Sequence, residues 1–287
     1  SCMLLSDIPV LAAHHAPEVI AVRYQDRAIS YAELRDRCWR LSNALLQVAE
    51  PGDRVAILAE NCPEYVDAYY GVPGAGMALT LLNYRLSARE LTYIIGDAGP
   101  RLLIVEPKYL PTIRQIRADI PSVEQVILIG EEAQDCVGYD AFVATGAAAE
   151  PERRPAETDL CWLIYTSGTT GLPKGAMLSH RSLMAAILNS LSAADAQQGE
   201  VAMFTFPQFH VAGYAMPGYH LRSLPMVLLK SFDAPTLLAN VERYGVTSTA
   251  MAPTMVAMLL EDPGGRSGGS GSADIGNGVR SGHSAGI

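Results

Sequence analysis

Apolar residues recur at helical spacing from the first quarter of the chain onward. Ser30 followed three residues later by Glu33 forms a capping box, which predicts that a helix begins there. Behind this cap, apolar side chains repeat at spacings of four and three residues, at Leu34, Cys38, Leu41, Leu45 and Val48. The pattern predicts an amphipathic helix with one buried stripe, and a second capping box at residues 87–90 predicts another.

Short, almost uninterrupted apolar runs alternate with these helical patterns. Runs of this kind predict strands buried on both faces, and they occupy residues 55–59, 102–105, 125–129 and 160–165. Because helices and strands alternate along the chain, a sheet with helices on both faces is favoured. The predicted fold class is α/β, with layered αβα subdomains and mostly parallel sheets.

Weaker signals continue the alternation on either side of these runs. Asn61 and Glu64 are predicted to cap a further helix. Later in the chain, strands are predicted at residues 201–206, 225–229 and 248–252, and helices at 182–191, 233–244 and 254–260. Beyond Pro263, nine Gly and five Ser among 24 residues replace the apolar periodicity. Residues 264–287 are therefore expected to form a flexible, non-native tail behind a domain at 1–263.

Composition and charge exclude several classes of protein. The formal net charge is −9, from 30 acidic and 21 basic residues, without the basic stripe of a nucleic-acid binder. Residues 201–221 contain no Asp, Glu, Lys or Arg, but their prolines and histidines suit a buried strand, a loop and a short helix better than a transmembrane segment. Five cysteines without metal or disulfide spacing predict reduced thiols in a cytoplasmic protein.

The main candidate for chemistry is a loop of small and hydroxyl-bearing residues at 166–175. It follows the strand predicted at 160–165 and has the sequence Thr-Ser-Gly-Thr-Thr-Gly-Leu-Pro-Lys-Gly. Gly168 and Gly171 allow backbone N–H groups to approach an anion, and the charge of Lys174 can follow a phosphate. The loop therefore predicts a phosphate-binding site at the carboxyl end of a parallel strand. A flexible surface turn is the competing interpretation.

This loop differs from the phosphate loop of P-loop NTPases. That motif requires Gly-Lys followed directly by Ser or Thr, whereas Pro173 precedes Lys174 here and Gly175 follows it. A P-loop kinase is disfavoured for this reason. Residues 165–175 instead resemble, almost residue for residue, the signature loop of the adenylate-forming superfamily, which includes the AMP-dependent acyl-CoA synthetases. Other landmarks of that family are similar at residues 31–34, 51–55, 83–91 and 207–213, within a likeness that covers about residues 10–263.

The resemblance implies a fold, a reaction and a set of ligands. The fold is the N-terminal portion of an acyl-CoA synthetase, with two interleaved α/β subdomains. In such enzymes a carboxylic acid attacks the α-phosphate of ATP, pyrophosphate leaves, and coenzyme A then displaces AMP from the acyl-adenylate. Mg²⁺ neutralises the phosphates, and Thr166 is its implied ligand. The implied phosphate-binding residues are Thr166, Ser167, Gly168, Thr169, Thr170, Gly171 and Lys174.

His210 is the second candidate catalytic residue, in addition to Lys174. Phe209-His210 resembles the family segment that borders the acyl and adenylate site, so His210 is expected to orient or shield the substrate carboxylate. The competing interpretation is a buried histidine whose hydrogen bonds the backbone satisfies. His180 is assigned a structural role. Residues 209–213 resemble fatty acyl-CoA synthetases more than amino-acid adenylation domains, which favours a fatty acid as substrate.

The chain departs from the family pattern at about Gly264. The sequence lacks a Gly-Tyr-Gly-x-Thr-Glu motif, the ribose-binding aspartate, the hinge and the catalytic lysine of the small C-terminal domain. We therefore expect an incomplete chain that binds ATP weakly and is inactive alone. A non-catalytic nucleotide- or acyl-binding fragment is the alternative function. Strands that complete a sheet would be missing, so we also expect an exposed sheet edge that associates either with a second copy, as a homo-oligomer, or with a partner chain.

Overall fold

Two β-sheets organise the chain in the computed structural model, which describes residues 2–130, 132–166, 171–192 and 199–261. Twelve strands lie in these ranges. They are β1 (Ile20–Tyr24), β2 (Arg27–Ser30), β3 (Arg54–Leu58), β4 (Ala78–Leu81), β5 (Leu102–Val105), β6 (Gln125–Leu128), β7 (Val137–Gly138), β8 (Leu160–Thr166), β9 (Lys174–Ser179), β10 (Ala202–Phe204), β11 (Met226–Leu228) and β12 (Ser248–Thr249).

The larger sheet has seven strands in the order β7-β6-β5-β3-β4-β8-β9. Its neighbouring pairs from β7 to β8 are parallel, and β9 runs antiparallel to β8. Every residue of β4 and β5 is buried, which is typical of central strands with helices on both faces. The predicted α/β class with mostly parallel sheets is confirmed.

The smaller sheet draws its strands from both ends of the described chain. Its order is β12-β10-β11-β1-β2, so the N-terminal hairpin β1–β2 lies beside strands that follow β9 in sequence. β1 pairs in parallel with β11 and antiparallel with β2. One hydrophobic core includes Val22 and Phe204 of the smaller sheet and Val55 and Trp162 of the larger. The chain therefore passes from one sheet to the other and back, and the two sheets share a core.

Ten α-helices pack around these sheets in the part of the chain that the structure describes. Two of them begin at the predicted capping boxes, where Ser30 Oγ accepts from Glu33 N (3.2 Å) and Ser87 Oγ accepts from Glu90 N (3.3 Å). No helix in the described ranges combines the length and the apolar composition needed to cross a membrane. The helices are α1 (Ile8–His15), α2 (Tyr31–Leu45), α3 (Pro63–Gly74), α4 (Ala88–Ala98), α5 (Leu110–Ile116), α6 (Tyr139–Ala144), α7 (His180–Ser192), α8 (Ala215–Leu221), α9 (Ala234–Tyr244) and α10 (Pro253–Glu261).

Strand β9 is a difference between the predicted and the observed elements. The sequence pattern predicts that the loop leads into a helix, but residues 174–179 pair with β8 and the helix begins only at His180. Ala176 and Met177 are adjacent and both exposed, so no two-residue alternation of buried positions marks this strand. Pairing with β8, rather than the pattern of its own residues, determines β9.

Asn61 is a second difference, because its side chain does not cap α3 as predicted. Its Nδ2 donates to the carbonyl oxygens of Phe206 (2.8 Å) and Leu229 (2.9 Å), and its Oδ1 accepts from Gln208 N (2.7 Å). Glu64 does not cap the helix either and pairs with Arg27 at 2.9 Å. The partners of Asn61 lie 145 to 168 residues away in sequence, so no local pattern reveals them.

His220 links three elements in the core. Its ring is fully buried, with Nδ1 2.6 Å from the Tyr70 hydroxyl in α3 and Nε2 3.0 Å from the Ala21 carbonyl in β1. Burial lowers the pKa of His220 to about 4, because an imidazolium ion would lose its hydration there. A neutral ring that accepts at Nδ1 and donates at Nε2 satisfies both contacts.

We expect the fold to lose stability in acid through His220. Its pKa is lower in the folded than in the unfolded chain, so the unfolded chain binds the proton first as pH falls from 6.5 to about 4. The stabilisation is complete above that interval, and on the order of 3 kcal/mol is lost across it. Urea unfolding at several pH values measures this loss.

His220→Gln should flatten that pH dependence, because glutamine has no titrating group in this range. The exposed His14 offers a matched control, and His14→Gln should leave the profile of the parent chain unchanged. A His220→Gln chain with the parent profile would contradict the assignment.

Candidate functional site

The candidate phosphate loop closes a β-hairpin. Thr166 at the end of β8 pairs with Lys174 at the start of β9, and both side chains are exposed. Four of the predicted phosphate ligands lie outside the described residues, namely Ser167, Gly168, Thr169 and Thr170. The structure therefore places the two stems of the loop, and the binding roles of its residues stay predictions.

The hairpin determines which positive groups can reach the loop. Strand β9 runs back along β8 for six residues, so α7 begins at the opposite end of the strands from the loop. That separation is about 20 Å at the usual rise of a strand. In P-loop proteins the helix N-terminus lies against the phosphates, but here it is too far from the loop to do so. Lys174 and the loop N–H groups are therefore the candidate anion-binding groups.

Two glycines shape the stem for different reasons. Gly171 has a φ of +143°, which side chains rarely adopt, although a Cβ there would meet nothing within 4 Å. Gly175 permits close packing, since a Cβ would lie 2.9 Å from Leu163 Cδ1 and 3.1 Å from Tyr165 Cζ. The Tyr165 hydroxyl donates to Asp97 in α4 at 2.6 Å. Burial and this hydrogen bond raise the pKa of Tyr165, so the phenol stays protonated and ties β8 to α4.

The carboxyl ends of β3, β4, β5 and β8 meet at one edge of the larger sheet, because these strands are parallel. We call this region the carboxyl edge. In addition to the loop after β8, it carries residues that come one to four positions after the ends of three strands, namely Glu60, Asn61, Tyr84, Arg85 and Glu106. Ligands of parallel α/β sheets bind at such edges, so this is the candidate site.

The segment that carries His210 lies on the carboxyl edge. Gln208 N donates to Asn61 Oδ1, and the Phe209 ring meets the Tyr84 ring edge-to-face with centroids 5.1 Å apart. Tyr84 follows β4, and β4 pairs directly with β8. The structure therefore brings His210 and the stems of the loop, two elements predicted separately from sequence, to the same edge.

The side chain of His210 is partly exposed to solvent and is oriented by its own segment. Its Nδ1 accepts from Ala212 N at 3.1 Å, and its ring stacks against Phe206 with centroids 6.3 Å apart. Partial burial, and then the charge of Arg85, lower the pKa of His210, so the imidazole is neutral at pH 7. With Nδ1 accepting, Nε2 carries the proton and can donate to a carboxylate oxygen. The competing interpretation of a buried histidine satisfied by backbone accounts for Nδ1 but not for the exposed ring.

A cluster of paired charges lies at the same edge, and the sequence analysis missed it. Lys108 Nζ is 3.1 Å from Glu60, and Lys230 Nζ is 3.4 Å from Glu60 and 3.5 Å from Glu106. Glu60 and Glu106 both follow parallel strands closely, which is the sequence signal that indicates their proximity. Lys230 follows β11 of the smaller sheet, so the cluster also joins the two sheets.

Lys174 and Arg85 differ from these paired lysines. In the described ranges, neither lies within ion-pair distance of a carboxylate, whereas Lys108 and Lys230 do. Despite the net charge of −9, this edge thus carries two cations available to an anionic ligand. The arrangement suits a phosphate-bearing molecule better than a cationic one.

Two further predictions concern histidine and metal. His180, assigned a structural role, is buried, and its Nδ1 accepts from Leu5 N at 3.1 Å. Across residues 2–130, 132–166, 171–192 and 199–261, no three His, Cys, Asp or Glu side chains are grouped so that they could hold a metal ion. Thr166 as a ligand of Mg²⁺ stays a prediction.

Comparison with solved structures identifies the class of fold. The inhibitor-bound N-terminal domain of FACL13 from Mycobacterium tuberculosis superposes with a TM-score of 0.84 and 25% identity, over 92% of this chain and 66% of that one. The fold is the one that N-terminal domains of acyl-CoA synthetases adopt. The model of the AMP-binding enzyme family matches residues 11–286, so the chain belongs to that family. The resemblance stated from the loop is confirmed.

Curated relatives give the same family. A long-chain-fatty-acid–CoA ligase from Thermus thermophilus is 36% identical over 249 residues, which span 83% of this chain and 45% of that enzyme. A feruloyl-CoA synthase from an Amycolatopsis species is 34% identical over 270 residues, which span 92% of this chain and 51% of that enzyme. The chain spans about half the length of the curated relatives it matches. The family match also includes residues 264–286, which lie outside the described residues, so the predicted boundary at 263 stays a prediction.

We expect the charge of Arg85 to contribute, after burial, to the lowered pKa of His210. Arg85→Gln removes a positive charge that opposes protonation, so the pKa of His210 should rise toward the ordinary histidine value. NMR titration of histidine-labelled protein measures this shift. Arg89→Gln, at an exposed position four residues further on, is the matched control and should leave His210 unchanged. An unaltered His210 titration in Arg85→Gln would show that the two side chains do not interact.

Proposed function

We propose that this chain provides the nucleotide-binding part of an AMP-forming acid–thiol ligase. Such an enzyme uses ATP to convert a carboxylic acid into an acyl-adenylate and then transfers the acyl group to coenzyme A. Membership of the AMP-binding enzyme family and the names of the relatives support this proposal. The observation that carries it is the meeting of the Thr166–Lys174 hairpin and the His210 segment at the carboxyl edge.

In the proposed first step, a carboxylate oxygen of the acid attacks the α-phosphorus of ATP. A new P–O bond forms, the bond to the bridging oxygen breaks, and pyrophosphate leaves with the electron pair. Lys174 and the loop N–H groups stabilise the charge that develops on the leaving pyrophosphate. His210 is neutral and donates a hydrogen bond from Nε2. It therefore orients the carboxylate and leaves it ionised as the nucleophile.

The proposed cofactor is Mg²⁺, and Thr166 is its proposed protein ligand. The exposed hydroxyl of Thr166 at the stem of the loop fits this role, because Mg²⁺ prefers oxygen ligands and keeps several of its waters. When bound, the ion supplies neutralisation of the phosphate oxygens. In the second step the thiol of coenzyme A attacks the acyl carbon, its proton is released and AMP leaves.

A fatty acid is the proposed substrate. Apolar and aromatic side chains lie near His210 at the carboxyl edge: Phe206 stacks against its ring, its sequence neighbours are Phe209 and the half-exposed Val211, and Tyr84 packs on Phe209. These groups favour an acid with an apolar body next to the histidine that orients its carboxylate. The relatives include both an aliphatic and an aromatic acid–CoA ligase, so an aromatic acid is the alternative that the experiment must distinguish.

The proposed location is the cytoplasm. All five cysteines are free thiols, and Cys38 and Cys161 are buried in the core without a disulfide. Unpaired cysteines are typical of reducing compartments. The proposed small-molecule partners are the acid, ATP and coenzyme A.

We expect Lys174 to determine nucleotide affinity. Lys174→Ala removes a cation that has no carboxylate partner among the described residues, so the affinity for Mg·ATP should fall about tenfold to a hundredfold. Isothermal titration of the chain measures this. Lys108→Ala is the matched control, since Lys108 lies at the same edge but is already paired with Glu60. Equal affinity in the parent chain and in Lys174→Ala would rule out the phosphate-binding role.

Exchange of labelled pyrophosphate into ATP then tests the reaction. Exchange that depends on a fatty acid, in a protein that contains this chain, supports the proposed ligase. Exchange that depends on ferulic acid instead moves the substrate to the aromatic class. Lys174-dependent binding of ATP without exchange for any acid identifies the alternative, a non-catalytic nucleotide-binding fragment.

We also propose that the chain self-associates through β9. This strand is the edge of the seven-stranded sheet, and Met177 at its centre is 61% exposed. In the described residues the outer side of β9 pairs with no other strand, and unpaired edges favour strand addition.

Met177→Lys should therefore shift the weight-average mass in sedimentation velocity toward the monomer, because a lysine on an edge strand opposes pairing. Met258→Lys serves as control, since Met258 has a similar exposure of 59% but lies on α10. A parent chain that sediments as a monomer at every concentration would contradict this proposal.

A further inference from the structure

Asn61 makes an unusual set of contacts for a residue that follows a strand. It is 2% exposed, and all three hydrogen bonds of its side chain go to the backbone of the smaller sheet's connections. The two acceptors are the Phe206 carbonyl beyond β10 and the Leu229 carbonyl beyond β11, and the donor is Gln208 N. One side chain at the end of β3 thus holds the ends of two strands of the other sheet.

A second set of contacts holds the same segment two residues before His210. The Gln208 side chain accepts from Cys62 N at 2.9 Å, and the Gln208 carbonyl accepts from the Tyr69 hydroxyl of α3. Gly213 lies so close to Tyr69 that a Cβ there would collide with the hydroxyl. The backbone on both sides of His210 is therefore fixed to α3 and to the residues directly before it.

We propose that Asn61 is a positioning residue, which holds the 206–210 segment so that His210 faces the carboxyl edge, where the stems of the loop lie. The inference rests on the proposed function, because it assigns His210 the task of orienting the substrate carboxylate. Asn61 does not touch the reacting atoms and acts through the backbone of Phe206 and Gln208. Its three bonds have distances of 2.7 to 2.9 Å, which are typical of well-formed hydrogen bonds.

Both functions of the Asn61 amide are needed at once. Its oxygen accepts from one backbone group, and its nitrogen donates to two others. Aspartate would present a second acceptor to two carbonyl oxygens, and alanine would leave all three buried groups without their partner. No other residue of similar size provides an acceptor and two donors in this geometry.

The first experiment compares Asn61→Ala with Asn43→Ala. Asn43 is a matched control, because its Nδ2 also donates to two carbonyl oxygens, those of Ala147 (2.9 Å) and Ala149 (2.8 Å), but at a half-buried position. In Asn61→Ala the His210 resonance should move and its pKa should rise toward the ordinary value, since the released ring gains hydration. In Asn43→Ala both should stay as in the parent chain. NMR titration of histidine-labelled protein gives both readouts.

A second pair of variants covers the case in which Asn61→Ala does not fold. Tyr69→Phe removes one hydroxyl that donates to the Gln208 carbonyl and keeps the ring. Tyr65→Phe is its control on the same helix, because the Tyr65 hydroxyl is buried without a hydrogen-bond partner in the described residues. Tyr69→Phe should shift His210 in the same direction as Asn61→Ala, whereas Tyr65→Phe should leave it unchanged.

Exchange kinetics in a protein that contains this chain provide the functional readout. A misplaced His210 should lower kcat/KM for the acid about tenfold or more while the KM for ATP changes little, because the loop is held by β8 and β9. If Asn61→Ala folds and its His210 signal matches that of the parent chain, Asn61 is structural only and the proposal is wrong. If Asn61→Ala does not fold, an unchanged His210 signal in Tyr69→Phe contradicts the proposal instead. Absence of exchange for every acid contradicts the proposed function, but it leaves the NMR test of Asn61 intact.

Discussion

The burial of α3 is the constraint on which the rest of the described structure depends. Every residue from Pro63 to Gly74 is buried, so this helix must be enclosed by protein on all sides. The Tyr70 hydroxyl lies 2.6 Å from His220 Nδ1, and the Tyr69 ring packs against Trp162 of β8 with centroids 4.4 Å apart. Because α3 is enclosed by parts of both sheets, it fixes the orientation of one sheet relative to the other. This orientation brings the ends of their parallel strands together. The candidate site lies where those ends converge.

The elements that the sequence predicts correctly are those whose signals are local. The capping boxes at Ser30 and Ser87 and the buried runs of the central strands depend on neighbours within one turn or one strand. Strand β9 was missed because its order comes from pairing with β8, and its exposed Ala176 and Met177 show no alternation. Long-range pairing can impose strand structure on a segment whose own pattern does not indicate it.

The site divides in the same way. The stems of the loop and His210 are candidates from sequence alone because a contiguous motif carries each of them, and their binding roles stay predictions. Asn61 was assigned to the wrong contact, and the cluster of Glu60, Glu106 and Lys230 was not predicted, because their partners are distant in sequence. Sequence can place acidic residues at strand ends, but only the fold shows which cations they meet. This pairing decides which positive charges at the edge remain available to an anionic ligand.

The pairing of Thr166 with Lys174 has a consequence for redesign of this protein. Both ends of the connecting loop start from one pair of facing residues, and such pairs lie only about 5 Å apart in an antiparallel ladder. The entropic cost of closing a loop across such a gap grows only slowly with the length of the loop. Because α7 starts at the other end of β9, a change in the loop does not require this helix to move. The length of the connecting segment can therefore vary at little entropic cost while β8 and β9 keep their pairing.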